Sequence, residues 1–418
     1  MNLIRRIGPL RMMAIKVTAL GALFWFAWSF GSYQAIYLQD IGFAASQLGL
    51  LNAISFAVTI VGVSFWGMVS DKIRSLKKVL FLILFFGVGF YALIPLIPAG
   101  QPYSTALFLI ILPFIAFFRG SVATMSENLQ VRNCNELNFN YGLSRSAGSL
   151  LYTIGSLLAV FLVNRQYLKV TSTFPVSFLL MIPVLILLFF VREPRGRSKK
   201  SAQKAEKVSI KVLFKNKKYT TFLVFALLFY TANNCSGAFI PYYMKEINVA
   251  NTNLGIILAY RAILEIPLLL LMYRFQKKFP LHIMLAAGVC LIMTEGLLFG
   301  TVVNSLPGMI MATTFFGLGN GLYIGSSMNY LYQLSPPALR ASAQAYFSAV
   351  SSIAGIAGNL IGGLMFDKIG AKPAYLVVAG IYLSSVLVIT FFNRNKKDGD
   401  KNDRQNETLK TALIADEG

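Results

Sequence analysis

The chain has 418 residues, 56% of them hydrophobic and 13% charged, with a formal net charge of +22. An ordinary soluble domain carries about 25% charged residues, so this composition excludes one and points to the bilayer. On a soluble chain the same charge would indicate nucleic acid; here the basic residues stand between long apolar blocks, and no nucleic-acid partner is expected.

Arg5, Arg6, Arg11 and Lys16 precede the first apolar run. That run continues for about 25 residues, too long for a signal-peptide core of roughly 7–15, and is read as a retained first helix. Blocks of about 20 apolar residues match the hydrocarbon core, and they place helices near 14–38, 46–69, 77–97, 104–131, 139–163 and 173–191. After a polar stretch, further helices are expected near residues 219–244, 252–274, 281–303, 307–334, 340–366 and 373–392 by the same criterion, with boundaries loose by about two to four residues. The expected fold is an all-α membrane protein, twelve transmembrane helices in two six-helix bundles. Its parts are an N-terminal bundle (1–191), a basic cytoplasmic linker (192–218), a C-terminal bundle (219–393) and a disordered cytoplasmic tail (394–418).

Loop charge sets the orientation. The side holding both termini carries thirty Lys and Arg, against five on the other: Arg165, Lys169, Lys245, Lys368 and Lys372. Positive loops stay inside, so both termini are expected in the cytoplasm, with the protein multi-pass in the plasma membrane and monomeric. Cys134, Cys235 and Cys290 share no short motif, so no disulfide framework or zinc site is implied. His282 reads as an interfacial residue beside Lys277 and Lys278.

A shift of 206 positions lays the start of the second half on the first. Gly31 meets Gly237, Tyr37 meets Tyr243, Ile41 meets Ile247, Leu48 meets Leu254 and Gly49 meets Gly255, while Asp40 meets Glu246. Two parallel repeats with a site at their interface is a recurrent transporter plan.

Charges inside spans are costly, roughly 2.5–3.5 kcal/mol each at a helix centre, and mark candidate sites. Glu127 and Arg145 fall in predicted helices 4 and 5, and an aqueous cavity suits them better than lipid. Tyr152 lies seven residues, or two turns, beyond Arg145 and so shares its face. The bland alternative is an ion pair fixing helix 4 to helix 5. Arg119 either neutralises Glu127 or lies near headgroups. Glu265 is the first candidate for a protonated group, against a permanent pair with Arg261 one turn before it; Glu295 is a second. Asn233 and Asn234 either bind solute or join helices, as does Tyr230. Trp25 and Trp28 either line the cavity or pack. No Walker loop, metal cluster or nucleophile–base string is visible, so neither an ATP-driven pump nor an enzyme is expected, and no cofactor beyond a coupling ion, H+.

GMVSDKIRSLKK, Gly67 to Lys78, resembles the loop signature of the major facilitator superfamily, with Gly67, Asp71 and Lys72 in register and Arg74 in place of the second glycine. The resemblance implies that Asp71 holds a helix end or a basic partner at a cytoplasmic gate, and that Gly67 lets two helices approach. A second string of this type, Gly363 to Gly370, falls on the external side and is given no gating role. The segment around YGLSRSAG, Tyr141 to Gly148, is similar to the lactose permease group of oligosaccharide and nucleoside symporters. There a helix-4 glutamate precedes a helix-5 arginine by 18 residues, as Glu127 precedes Arg145 here. The likeness implies that Glu127, Arg145 and Tyr152 hold a hydroxylated solute and that Glu265 takes part in proton coupling. Leu143 replaces the first arginine of the family string, and the family's helix-9 arginine and helix-10 histidine and glutamate are missing. Thr294 and Glu295 stand in the helix-9 neighbourhood. The expected function is proton-coupled symport of a di- or oligosaccharide or nucleoside by alternating access, with a drug or metabolite exporter, or a solute receptor, as the alternatives.

Overall fold

The computed structural model describes residues 9–137, 139, 141–193, 211–336 and 339–393. The expected tail and most of the expected linker lie outside the described residues. Among these residues all regular structure is helical. Helix α1 runs Pro9–Phe30, tightens into a 3-10 turn at Gly31–Tyr33 and finishes as Gln34–Asp40. Then come α2 (Ala45–Ile73), α3 (Leu76–Ala92), α4 in two segments (Ser104–Arg119, Val122–Glu136), α5 (Tyr141–Asn164) and α6 (Thr173–Phe190). Helix α7 (Lys217–Gly237) bends by 46° into Ile240–Glu246. The remainder are α8 (Leu254–Lys278), α9 (Leu281–Thr301), α10 (Leu306–Leu334), α11 (Arg340–Ile369) and α12 (Ala371–Asn393).

Ten helical stretches are long and apolar enough to span a bilayer, and the bent α7 makes an eleventh. Helix α10 has 29 residues, but glycine, asparagine and serine dilute its apolar face. Its small residues serve packing instead. A Cβ on Gly317 would meet Leu264 and Arg261 of α8, and one on Gly321 would meet Leu268 and Glu265. Small residues let membrane helices approach closely where no hydrophobic force drives them together. The fold is thus the expected twelve-helix arrangement.

The repeat seen in the sequence is also a repeat of backbone. Gln34–Asp40 and Ile240–Glu246 are both seven-residue helices following a break. Both end in the same cap. Ile41 N donates to Tyr37 O at 3.1 Å and Phe43 N to Leu38 O at 2.9 Å; Ile247 N donates to Tyr243 O at 3.1 Å and Val249 N to Met244 O at 2.8 Å. The left-handed position is Gly42 (φ 94°) in one half and Asn248 (φ 56°) in the other, the two residue types that tolerate that conformation best.

Two apolar cores lie each within one half, while a third joins the halves. The shared core holds Phe30, Tyr37 and Leu48 from the first half with Phe239, Tyr243 and Phe366 from the second, and it sits where α1 ends and α2 begins. Hydrogen bonds gather there too. Asp367 of α11 accepts from Ala45 N at 2.9 Å and Ser46 N at 2.7 Å, capping α2 across the interface. Tyr242 donates to Phe43 O at 2.8 Å, Asn251 to Gln39 at 2.5 Å and Asn164 to Asn253 at 2.8 Å. Further along the same antiparallel seam Gly49 abuts Gly363, and Asn52 donates to Asn359 at 3.1 Å. The string Gly363 to Gly370, given no gating role above, therefore carries a cross-half contact through Asp367.

Candidate functional site

A cavity of 250 Å³ opens between the halves. The first half lines it with Trp25 of α1 and with Arg145, Ser149 and Tyr152 of α5. The second supplies Leu258, Arg261, Ala262 and Glu265 of α8 and Phe316 of α10. Spacing explains both walls: 145, 149 and 152, like 258, 261 and 265, repeat at three and four, one face of a helix.

On the α5 wall the Arg145 guanidinium lies 4.5 Å from the Trp25 ring centroid. Its Nε is 3.4 Å from Glu127 Oε1, and its Nη1 donates to Ser149 Oγ at 3.2 Å. The side chains of Arg145 and Glu127 are 34% and 38% exposed, so the pair is reachable by water. Tyr152 stands edge-on to Trp25, with its hydroxyl 3.4 Å from Ser32 Oγ. The predicted trio of Glu127, Arg145 and Tyr152 is brought together, with Arg145 and Tyr152 on the cavity surface and Glu127 behind.

On the α8 wall the Arg261–Glu265 pair, stated above as the alternative, does not form. Arg261 Nη2 donates to Glu295 Oε1 of α9 at 2.6 Å, and Thr313 of α10 donates to the same oxygen at 2.9 Å. The two side chains are only 11% and 6% exposed. Glu265 instead accepts from Asn320 Nδ2 at 2.6 Å. In isolated helices an acid preceding a base by four residues pairs better than the reverse order, and 261–265 is the reverse. The Arg261 guanidinium also packs 3.8 Å from the Phe316 centroid.

Asn233 and Asn234 lie outside the cavity lining. Asn234 donates to Tyr230 O at 2.8 Å and accepts from Asn359 at 3.5 Å, while Asn233 accepts from Tyr382 at 3.5 Å. They join α7 to α11 and α12, the helix-joining alternative stated above. Arg119 forms no ion pair with Glu127 and instead stacks between Trp28 at 4.1 Å and Tyr91 at 3.9 Å.

The predicted gating motif sits at the end away from the shared core. Asp71 and Lys72 are exposed, and a Cβ on Gly67 would meet nothing within 4 Å, so no helix among the described residues approaches there. Nor does Asp71 hold the neighbouring helix end. Glu193 does, accepting from Ser75 Oγ at 2.6 Å and Leu76 N at 2.8 Å at the start of α3. Sequence reasoning missed Phe316, Asn320 and Thr313. A signal existed: 313, 316 and 320 share one face of α10 by spacing, though nothing in the spacing says that α8 faces it.

The MFS_1-like family model matches residues 18–377. The maltose permease of Geobacillus stearothermophilus is 23% identical over 91% of this chain and 92% of its own length. An uncharacterized transporter of Bacillus subtilis (strain 168), YwbF, is 26% identical over 82% of this chain and 85% of that one. A putative nucleoside transporter of Escherichia coli (strain K12), YegT, is 20% identical over 83% of each. Among solved structures, the nucleoside transporter NupG superposes with a TM-score of 0.71 at 15% identity, over 92% of this chain and 100% of that one. A bacterial homolog to the human lysosomal transporter Spinster, inward-facing and occupied, gives 0.68 at 12% identity, over 94% and 98%. At such identities the structural likeness speaks for the fold alone.

Proposed function

This chain belongs to the MFS_1-like family of major facilitator superfamily transporters, and we propose that it imports a sugar-like solute together with a proton by alternating access. The observation that carries the reading is the cavity itself. It lies between the two halves, and each half contributes charged and aromatic groups to it. A relative named maltose permease and another named as a putative nucleoside transporter support a hydroxylated solute. The volume of 250 Å³ falls just below the usual range of about 300–1,000 Å³ for small-molecule sites. A disaccharide or nucleoside therefore suits it better than a long oligosaccharide.

With both termini on the cytoplasmic side of the plasma membrane, an orientation that the basic loops support, the shared core closes the outer face. Solute hydroxyls would accept from Arg145 and lie against Tyr152, with Glu127 fixing the guanidinium. Glu265, held by Asn320, is the proton acceptor in this reading. Around the cavity stand the carboxylates Glu127, Glu265 and Glu295 and the guanidiniums Arg145 and Arg261. One proton on Glu265 balances these five, so the loaded cavity carries no net charge from them while the bundles move, and uncompensated charge inside a membrane is costly. Solute binding would shift the population toward the state that binds it better.

Proteoliposomes test this. An imposed inward proton gradient should drive accumulation of labelled maltose or uridine, abolished by a protonophore. Accumulation driven by the opposite gradient would indicate export, and absence of counterflow would indicate a receptor.

A further inference from the structure

Resting on that reading, we infer that Arg261 is the second solute-binding arginine, the counterpart in the second half of Arg145. The two cavity walls are built alike. In each, a guanidinium lies over an aromatic ring, Arg145 on Trp25 at 4.5 Å and Arg261 on Phe316 at 3.8 Å. In each, a carboxylate on the neighbouring helix holds that guanidinium, Glu127 at 3.4 Å and Glu295 at 2.6 Å. The arginine and the ring line the cavity in both walls; the carboxylate lines it in neither.

A guanidinium has five N–H donors in a fixed fork. Glu295 accepts from Nη2 of Arg261, and among the described contacts Nη1 donates to no acceptor. Donor capacity is therefore left over at the cavity wall, where a carboxylate already supplies the countercharge. That combination suits a neutral acceptor, a hydroxyl, better than an anion. The rings of Trp25 and Phe316 each carry a guanidinium on one face, which holds the fork flat. Tyr152 is the lining aromatic with no guanidinium over it among the described contacts, so it offers the stacking face.

The solute class follows: a neutral polyhydroxylated molecule with one apolar face and hydroxyls at two ends. One end accepts from Arg145 and the other from Arg261. Such a solute bridges the halves, which links its binding directly to their relative movement. Arg261 thereby changes role, from partner of Glu265 in proton coupling to solute ligand.

Equilibrium binding of labelled maltose and uridine to purified protein in detergent tests the inference without requiring transport. The variants are Arg145→Lys, Arg261→Lys and the paired Arg261→Gln/Glu295→Gln, which removes both buried charges at once. Lysine keeps the charge but loses the planar fork. Arg261→Lys should weaken binding about tenfold or more, as loss of hydrogen bonds to a charged group does, with the melting temperature little changed. The paired variant should weaken binding to a similar degree while remaining folded. Wild-type affinity in both Arg261 variants, with binding lost in Arg145→Lys, would overturn the second arginine and leave the transporter reading standing. Failure of the wild-type protein to bind either probe would defeat the sugar-like solute and this inference with it.

Discussion

Arg261 reaches across to Glu295 at 2.6 Å, although Glu265 stands one turn away on its own helix. The pair is nearly sealed from water, and Thr313 satisfies the same carboxylate oxygen. Glu265 is thereby left to Asn320 and to the cavity.

Breaking that pair on one side should be severe. Glu295→Ala strands a buried guanidinium, and removing one partner of a buried pair costs about 3–5 kcal/mol. Its melting temperature in detergent should fall well below that of the wild type. Replacing both, as in Arg261→Met/Glu295→Leu, should restore most of the loss. Equal instability of the single and double variants would mean that shape, not charge, holds this site.

Glu127 and Arg145 should behave in the opposite way. Both are more than a third exposed, and exposed pairs contribute only about 0–1 kcal/mol. Arg145→Ala should melt close to the wild type yet lose solute binding. A large drop in melting temperature with binding retained would make the pair structural.

Asp367 caps α2 from the other half through two backbone N–H groups. An N-cap contributes about 0.5–2 kcal/mol. Here it does so only while the halves touch, so Asp367→Ala should favour the outward-open state by roughly 2- to 30-fold. Spin labels at Arg165 and Asn248, exposed on opposite halves of that face, should report a larger population at long distance. An unchanged distance distribution would show that the apolar core alone closes this end.

Glu265→Gln keeps a group able to bond Asn320 but cannot exchange a proton. Counterflow at equal pH should persist, while accumulation driven by a proton gradient should disappear. Gradient-driven accumulation at the wild-type level would move the proton to another group, with Glu295 next in line.

Tyr152→Phe should bind nearly as well as wild type, since its hydroxyl makes only a long contact with Ser32 at 3.4 Å. Tyr152→Ala should lose about tenfold or more, because the ring surface itself is removed. Titration of the two variants with labelled maltose separates the ring from its hydroxyl.

Much of this protein is written locally. Hydropathy located all but one of the spans, α10 being the exception, since every backbone polar group in lipid must be paired within its own helix. The 206-residue repeat lays Gln34–Asp40 on Ile240–Glu246, and the structure gives those two helices matching caps. Spacing on one helix put Arg145 and Tyr152 on a common face. What spacing cannot supply is the neighbour. A helical period fixes which residues look in one direction and says nothing of which helix stands there. Arg261 therefore took Glu295 over Glu265, Asn234 turned to Asn359, and Asp367 reached residues 45 and 46 from more than 300 positions away. Those choices belong to packing between helices, where burial, approach distance and the order of charges compete, and only the assembled bundles decide among them.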